Sequence, residues 1–244
     1  MNPRGTRLGH IRSWLYTIPV AVLATSILIS ISVVTSVVSP TGRWQRFLYR
    51  LWAATVLAIF GVKPKVRGAE KLDPNQNYVV VSNHLSLVDT PMVLYCLPVP
   101  FKFLAKRELL KVPFIGWYLQ RGKHLTVDRG SLRSSIASMN ECARVIREQH
   151  LSVLIFAEGT RSLTGQLQPF KEGAAYLSIQ SGVPVAPVAV YGSWDVLPAK
   201  SSHFVGGEVE LRIGDPVSPD GYTLRDRAKF TALLEERVRG LLQN

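Results

Sequence analysis

From Ser13 to Ser39 the chain reads SWLYTIPVAVLATSILISISVVTSVVS, without one charged residue, and this segment constrains the fold more than any other. Coiled at about 1.5 Å per residue it would reach roughly 40 Å, more than the ~30 Å hydrocarbon core of a bilayer. It does not fit a cleaved signal peptide, whose apolar stretch runs about 7–15 residues before a small-residue cleavage site. Serines and threonines recur through its interior and Pro19 interrupts it, so spanning and half-embedded arrangements both stay open. The following TGRWQRFLYRLWAATVLAIFGV starts amphipathic, with Arg43, Arg46 and Arg50 set among Trp44, Phe47, Leu48 and Leu51. Only Leu51 to Val62 is continuously apolar, which is short for a span and suits an interfacial helix. Trp14, Tyr16, Trp44, Tyr49 and Trp52 supply the amphipathic rings that settle at headgroup level.

Charge divides along the same line. Of the net +12, half belongs to residues 1–62, which hold six arginines and no acidic residue. A basic, acid-free anchor fits attraction to anionic lipid. Arg4, Arg7 and Arg12 precede the apolar run and Arg43, Arg46 and Arg50 follow it, so the positive-inside rule favours a shallow hairpin with both ends on the cytoplasmic side. The expected location is therefore the inner, cytoplasmic membrane, with the remainder of the chain on its cytoplasmic face. Nucleic acid is not an expected partner, since there is no Arg/Lys-rich helix, aromatic RNA-binding motif or zinc pattern. Cys96 and Cys142 are too few and too isolated for a disulfide framework or a zinc site, and read as buried apolar residues.

Beyond the anchor, short β-branched runs alternate with helical patterns, which signals an α/β domain with a central sheet flanked by helices. Candidate strands are Tyr78–Ser82, Phe101–Ala105, His124–Asp128, Val153–Ala157, Val185–Tyr191 and Glu208–Ile213. Leu132, Ile136, Met139, Ala143 and Ile146 make one apolar stripe on a helix reaching about Gln149. Phe230, Leu233 or Leu234, Val238 and Leu241 do the same near the C-terminus. Lys63 to Asn77, with Pro64, Gly68 and Pro74, reads as the boundary, giving an anchoring segment at 1–62 and a catalytic domain at 63–244.

Two stretches carry chemistry. SNHLSLVD places His84 and Asp89 directly after the apolar YVVV. On one regular helix five residues would set them about 140° apart, on different faces. Ser86 followed by Asp89 resembles a capping box, however, and a helix starting near Leu87 leaves His84 in the preceding loop and Asp89 in the first turn. The carboxylate can then turn back to orient the imidazole. The alternative is that Asp89 merely complements the helix dipole. FAEGTRS follows the strand-like SVLI and puts Glu158, Gly159, Thr160 and Arg161 at a strand's carboxyl end, where open α/β sheets bind ligands. Gly159 permits close backbone approach, and Arg161 offers a planar fork to phosphate oxygens.

Four blocks in order resemble the lysophosphatidic acid acyltransferase family, the PlsC-like members of the glycerolipid acyltransferase superfamily. They are NHLSLVD, FLAKRELLKVPFIGW with HLTVDRG, FAEGTRS, and VPVAPVAV, and together they span roughly Lys63 to Asp215. Ala157 stands where the family usually has proline, which changes the stiffness of a turn and removes no functional group. The resemblance implies the glycerolipid acyltransferase fold behind a membrane-embedded helical hairpin. It implies transfer of a fatty acyl group from acyl-CoA or acyl-carrier protein to the sn-2 hydroxyl of lysophosphatidic acid, in phospholipid synthesis. His84 would be the base and Asp89 its orienter. Glu158, Gly159, Thr160 and Arg161 would form the acceptor site, with Arg161 on the phosphate and Lys106 beside it. Lys171 and the Asp128–Arg129 pair are weaker candidates.

The residues themselves agree with base catalysis, because an alcohol attacks poorly until its proton is accepted and a histidine near neutral pKa accepts it best. No G-x-S-x-G elbow and no Cys–His pairing points to an acyl-enzyme. No metal or cofactor is expected beyond the thioester co-substrate, and the expected partners are membrane phospholipids and the two substrates. Glycerol 3-phosphate, another lysophospholipid or a lyso-aminolipid remain alternative acceptors. A membrane-bound thioesterase needs no acceptor-phosphate site, and a noncatalytic lipid-binding module needs no His84–Asp89 pair.

Overall fold

A computed structural model describes residues 7–38, 42–128 and 130–243. Arg4, Ser39, Arg129 and the side chain of Leu132 lie outside the described residues. The uncharged N-terminal stretch is helical. α1 (Arg7–Arg12) continues through a π-helical turn, Ser13–Thr17, into α2 (Ile18–Thr35), and Arg7–Thr35 is long and apolar enough to cross a membrane. Pro19 falls inside this continuous run, where its missing N–H interrupts the helical ladder, and the π turn just before it is the local adjustment proline brings to a helix.

α3 (Arg43–Ile59) folds back on α2. Gln45 meets Ser32 and Thr35 while Trp52 meets Thr25, so the two helices run antiparallel. The Ser32 hydroxyl donates to Gln45 Oε1 at 2.6 Å, Gln45 Nε2 donates to Thr35 at 3.1 Å, and Trp52 Nε1 donates to Thr25 at 3.1 Å. The hydroxyls that interrupt the apolar run thus fasten it to its neighbour. Val22, Leu23, Ile27 and Val34 stay exposed on the other side. A core helix of a soluble protein would hide that face.

The chain then builds β1 (Val62–Arg67), β2 (Val79–Ser82), α4 (Asp89–Cys96), β3 (Lys102–Lys106), α5 (Ile115–Arg121) and β4 (Leu125–Val127). α6 (Leu132–Gln149), β5 (Val153–Phe156), α7 (Gly173–Ser181), β6 (Val185–Tyr191), α8 (Ser193–Val196), β7 (Gly207–Ile213) and α9 (Arg227–Gln243) follow. The seven strands form one mixed sheet in the order β1-β7-β6-β2-β5-β3-β4, parallel except where β6 meets β7. The strands expected from the sequence occur within about one residue of their expected ends.

β1 was not foreseen. Residues from Lys63 read as a boundary because of Pro64, Gly68 and Pro74, yet Val62–Arg67 is an edge strand in register with β7, from Val62 opposite Gly207 to Arg67 opposite Arg212. Proline is tolerated at a sheet edge, where no ladder bond is owed on the open side. The hairpin therefore enters the sheet without a linker, and Ala53 and Leu57 of α3 share one core with Val80, Met92, Val93 and Leu211.

α4 and the hairpin cover one face of the sheet and α6, α7 and α9 the other. Val79, Val80 and Val81 are fully buried, as a central parallel strand requires, each worth about 1.5–3 kcal/mol of apolar burial. On α6, Met139, Ala143 and Ile146 bury as their spacing predicts, whereas Ile136 remains 44% exposed. On α9, Phe230, Leu234 and Val238 face the core.

Candidate active site

β2 and β5 lie side by side and parallel, with Ser82 opposite Phe156, so the loops after them leave from the same edge. The loop after β2 leads to α4 on one face, and the loop after β5 leads to α7 on the other. Diverging connections of this kind open a crevice at the carboxyl ends of the strands, the switch point where α/β sheets bind ligands. His84 emerges from one side of it and Glu158 from the other.

His84 lies in the loop and Asp89 is the first residue of α4, as the spacing predicted, two residues later than the expected start near Leu87. Asp89 is fully buried and its Oδ2 stands 2.8 Å from His84 Nδ1. The same oxygen accepts from the backbone N–H groups of Leu85 at 2.6 Å and Ser86 at 2.8 Å. Half of the expected capping box is therefore made. The Ser86 hydroxyl accepts from Val88 N–H instead and donates to Leu197 O at 2.7 Å, pinning the loop to the segment after α8.

A carboxylate only accepts, so it fixes the proton on Nδ1 and leaves Nε2 with its lone pair. Nε2 makes no hydrogen bond within the described residues, and the side chain keeps 18% exposure toward the crevice. The imidazole stacks on Phe156 with centroids 4.0 Å apart and an interplanar angle of 13°. This combination sets the ring's tautomer, tilt and position.

The FAEGTRS loop clamps His84 from the other strand. Glu158 Oε1 accepts from His84 N–H at 2.6 Å, and His84 O accepts from Ser162 N–H at 2.9 Å. Glu158 Oε2 accepts from the backbone and side-chain amides of Gln168, at 3.0 and 3.1 Å. Burial pushes the Glu158 carboxyl up, while the His84 and Gln168 amides pull it down. Its oxygens are thus engaged with protein, and its part here is to brace. Gly159 adopts φ +75°, and a Cβ there would come within 2.9 Å of Lys171 Nζ, so the lysine stem lies against bare backbone. Thr160 is exposed; Arg161 is half-buried and makes no ion pair within the described residues.

Lys106 closes β3 at the same edge of the sheet, separated from β2 by β5. It is half exposed and pairs with Glu108 at 3.3 Å. Asp128 pairs with Arg107 at 2.9 Å and caps Gly130, just past β4, which β3 and β5 separate from β2. Sequence reasoning missed Asn83 and Gln168. Asn83 is fully buried and exchanges two hydrogen bonds with the backbone of Val190, at 3.0 and 2.8 Å, locking the end of β2 to β6. An amide at the end of an apolar strand was the available signal for it. Gln168 carried none.

Comparison with known proteins places this geometry. A family model described as Acyltransferase matches residues 63–191. The human 1-acyl-sn-glycerol-3-phosphate acyltransferase alpha is 34% identical over 192 residues, 79% of this chain and 66% of that protein. A Limnanthes douglasii 1-acyl-sn-glycerol-3-phosphate acyltransferase is 36% identical over 138 residues, 57% of this chain and 48% of that protein. The alignments therefore span about two thirds of the human relative and about half of the plant one. The crystal structure of the 1-acyl-sn-glycerophosphate (LPA) acyltransferase PlsC from Thermotoga maritima superposes with a TM-score of 0.79 at 26% identity, covering 96% of each chain. With both the sheet topology and the matched domain in agreement, the chain belongs to the acyltransferase family, among its PlsC-like members.

Proposed function

We propose that the protein transfers a fatty acyl group from a thioester, acyl-CoA or acyl-carrier protein, to the sn-2 hydroxyl of lysophosphatidic acid, giving phosphatidic acid. The observation that carries the reading is the His84–Asp89 pair at 2.8 Å, with Nε2 turned to the crevice at the switch point. The names and structure of the relatives support the acceptor.

In this mechanism His84 Nε2 accepts the hydroxyl proton as the oxygen attacks the thioester carbonyl carbon. Asp89 stabilises the imidazolium that results. The tetrahedral intermediate then collapses, the C–S bond breaks, and the imidazolium returns its proton to the departing thiolate. Base and acid are one group used twice, so no covalent acyl-enzyme forms. Arg161 grips the acceptor's phosphate with charge-assisted hydrogen bonds, assisted by Lys106. Glu158 and Gly159 keep the loop close to His84, and Thr160 lies in the same turn. The hairpin of α2 and α3 lies in the cytoplasmic leaflet of the inner membrane, with its exposed apolar side chains among acyl chains.

Purified protein assayed against lysophosphatidic acid, monoacylglycerol, glycerol 3-phosphate and lysophosphatidylcholine, with each thioester donor, tests the reading. Lysophosphatidic acid should be the preferred acceptor. Equal use of the phosphate-free monoacylglycerol would defeat the role of Arg161, and thioester hydrolysis without acyl transfer would defeat the reaction itself.

A further inference from the structure

The opposite edge of the sheet also holds a hollow, largely apolar in its walls but carrying several basic side chains. β2 and the residues flanking it lead from Asn77 at that edge to His84 at the other, so the two ends lie about 20 Å apart at ~3.3 Å per residue. There the turn of the hairpin meets α5 and the starts of β3 and β5 across a cavity of about 140 Å³. Arg46, Lys102, Arg121 and His124 line it together with Tyr49 and Tyr118, and among the described residues no Asp or Glu does. Arg46 and Arg121 make no ion pair within the described residues. Lys102 is half-buried, and its ammonium donates to Gly122 O at 2.5 Å, a bond that uses one of three donors. Burial first, and Lys123 second, hold the Lys102 ammonium below its ordinary range. Lys102 is thus a partly desolvated cation, the exposed Arg46 and Arg121 line the same cavity, and an anion seated there would gain charge-assisted hydrogen bonds from them.

We propose that this cavity is a second anion site, separate from the acyl-transfer crevice, which holds the phosphate of an anionic phospholipid from the membrane on which the hairpin lies. The inference rests on the membrane reading of the hairpin. Its location supports a lipid source. Val34, Val37, Val38, Trp44 and Phe47 are exposed around the same turn, where acyl chains would run while the headgroup reaches Arg46 and Arg121. Tyr49 and Tyr118 supply hydroxyls for further phosphate oxygens.

The test uses full-length protein reconstituted with phosphatidylcholine alone or mixed with phosphatidylglycerol, read by vesicle flotation and by native mass spectrometry of retained lipid. Wild type should float and keep one phosphatidylglycerol. Arg46→Ala with Arg121→Ala should still float, keep its acyl-transfer activity in detergent, and bind that lipid at least about tenfold more weakly, while Arg46→Lys with Arg121→Lys restores much of the loss. Retention of phosphatidylglycerol unchanged in the alanine variant, or equal retention of phosphatidylcholine by wild type, overturns the site while leaving the membrane reading intact. Failure of wild type to float overturns both. Inorganic phosphate is the remaining arm: displacement of the lipid by phosphate at concentrations well below those needed for salt screening would assign the cavity to the free ion and overturn the lipid as its ligand.

Discussion

Each edge of the sheet holds a histidine, and the two are wired in opposite senses. His84 presents Nδ1 to the Asp89 carboxylate, which holds a proton on that nitrogen and leaves Nε2 basic. His124 accepts the backbone N–H of Phe103 on Nδ1 at 2.9 Å, so its proton sits on Nε2 and its lone pair is already occupied. Rings of Phe103 and Tyr118 flank it. Burial, followed by the charge of Lys102, lowers its pKa to about 3. One imidazole keeps a lone pair turned to the crevice, and the other has its lone pair taken up by backbone and its pKa driven down by burial. The partner of Nδ1 makes the difference, and no property of the residue type does.

The largest way to break this comparison is at His84. His84→Ala should lower kcat by roughly 10²–10⁴-fold, measured by acyl transfer to lysophosphatidic acid, with a melting temperature near that of wild type. Near-normal turnover would remove His84 from the chemistry. Asp89→Asn should approach the same loss, because a neutral amide no longer stabilises an imidazolium and its NH₂ group would be turned toward two backbone donors.

Next in size is the acceptor contact. Arg161→Ala should cost about ten- to a hundredfold in kcat/KM for lysophosphatidic acid, as expected for charge-assisted hydrogen bonds of about 1.5–3 kcal/mol, and Arg161→Lys should cost less. The preference for lysophosphatidic acid over monoacylglycerol should shrink in both. An unchanged preference would take the phosphate away from this arginine.

His124 gives a smaller effect, visible in stability. Its folded pKa of about 3 lies below the ~6.5 of an unfolded histidine, so between those values the unfolded chain holds the extra proton and acid favours unfolding. The stabilisation is therefore present above about pH 6.5 and is lost as pH falls toward 3, by at most about 1.4 kcal/mol per unit. Denaturant titrations of wild type and His124→Gln across that range should show a shallower acid dependence in the variant, whose side-chain carbonyl can still accept from Phe103. Parallel curves would mean that His124 is protonated in the fold. Phe156→Leu sharpens the other side of the comparison. Loss of the stacked ring, worth about 0.5–1.5 kcal/mol, should lower kcat by two- to tenfold and leave the acceptor KM almost unchanged. A rise in KM alone would mean that Phe156 contacts substrate.

How much of this was legible in the sequence depended on whether the cause was local. His84 and Asp89 could be paired because the start of α4 fixes both positions within six residues. The central strands could be read because Val79–Val81 and Val185–Tyr191 are apolar on both faces. What stayed hidden is settled by distant partners. Val62–Arg67 looks like a linker until β7 arrives to pair with it, since Pro64 and two lysines argue against a strand and only an edge position forgives them. Glu158 reads as a ligand for substrate because of its motif, while the amides that occupy it belong to His84 and Gln168. The Ser and Thr positions of α2 looked like blemishes in a membrane segment until Gln45 and Trp52 came to meet them.

The pairing of β1 with β7 also dictates an order of events during synthesis. Val62 must wait for Gly207, so the outer edge of the sheet cannot close until most of the chain has left the ribosome. The helical hairpin faces no such delay, because its contacts are local and Gln45, Trp52 and their hydroxyl partners emerge within a few dozen residues of one another. It can fold first. The rest of the chain then assembles on a hairpin already formed, and the last strand to be made completes the sheet around the first.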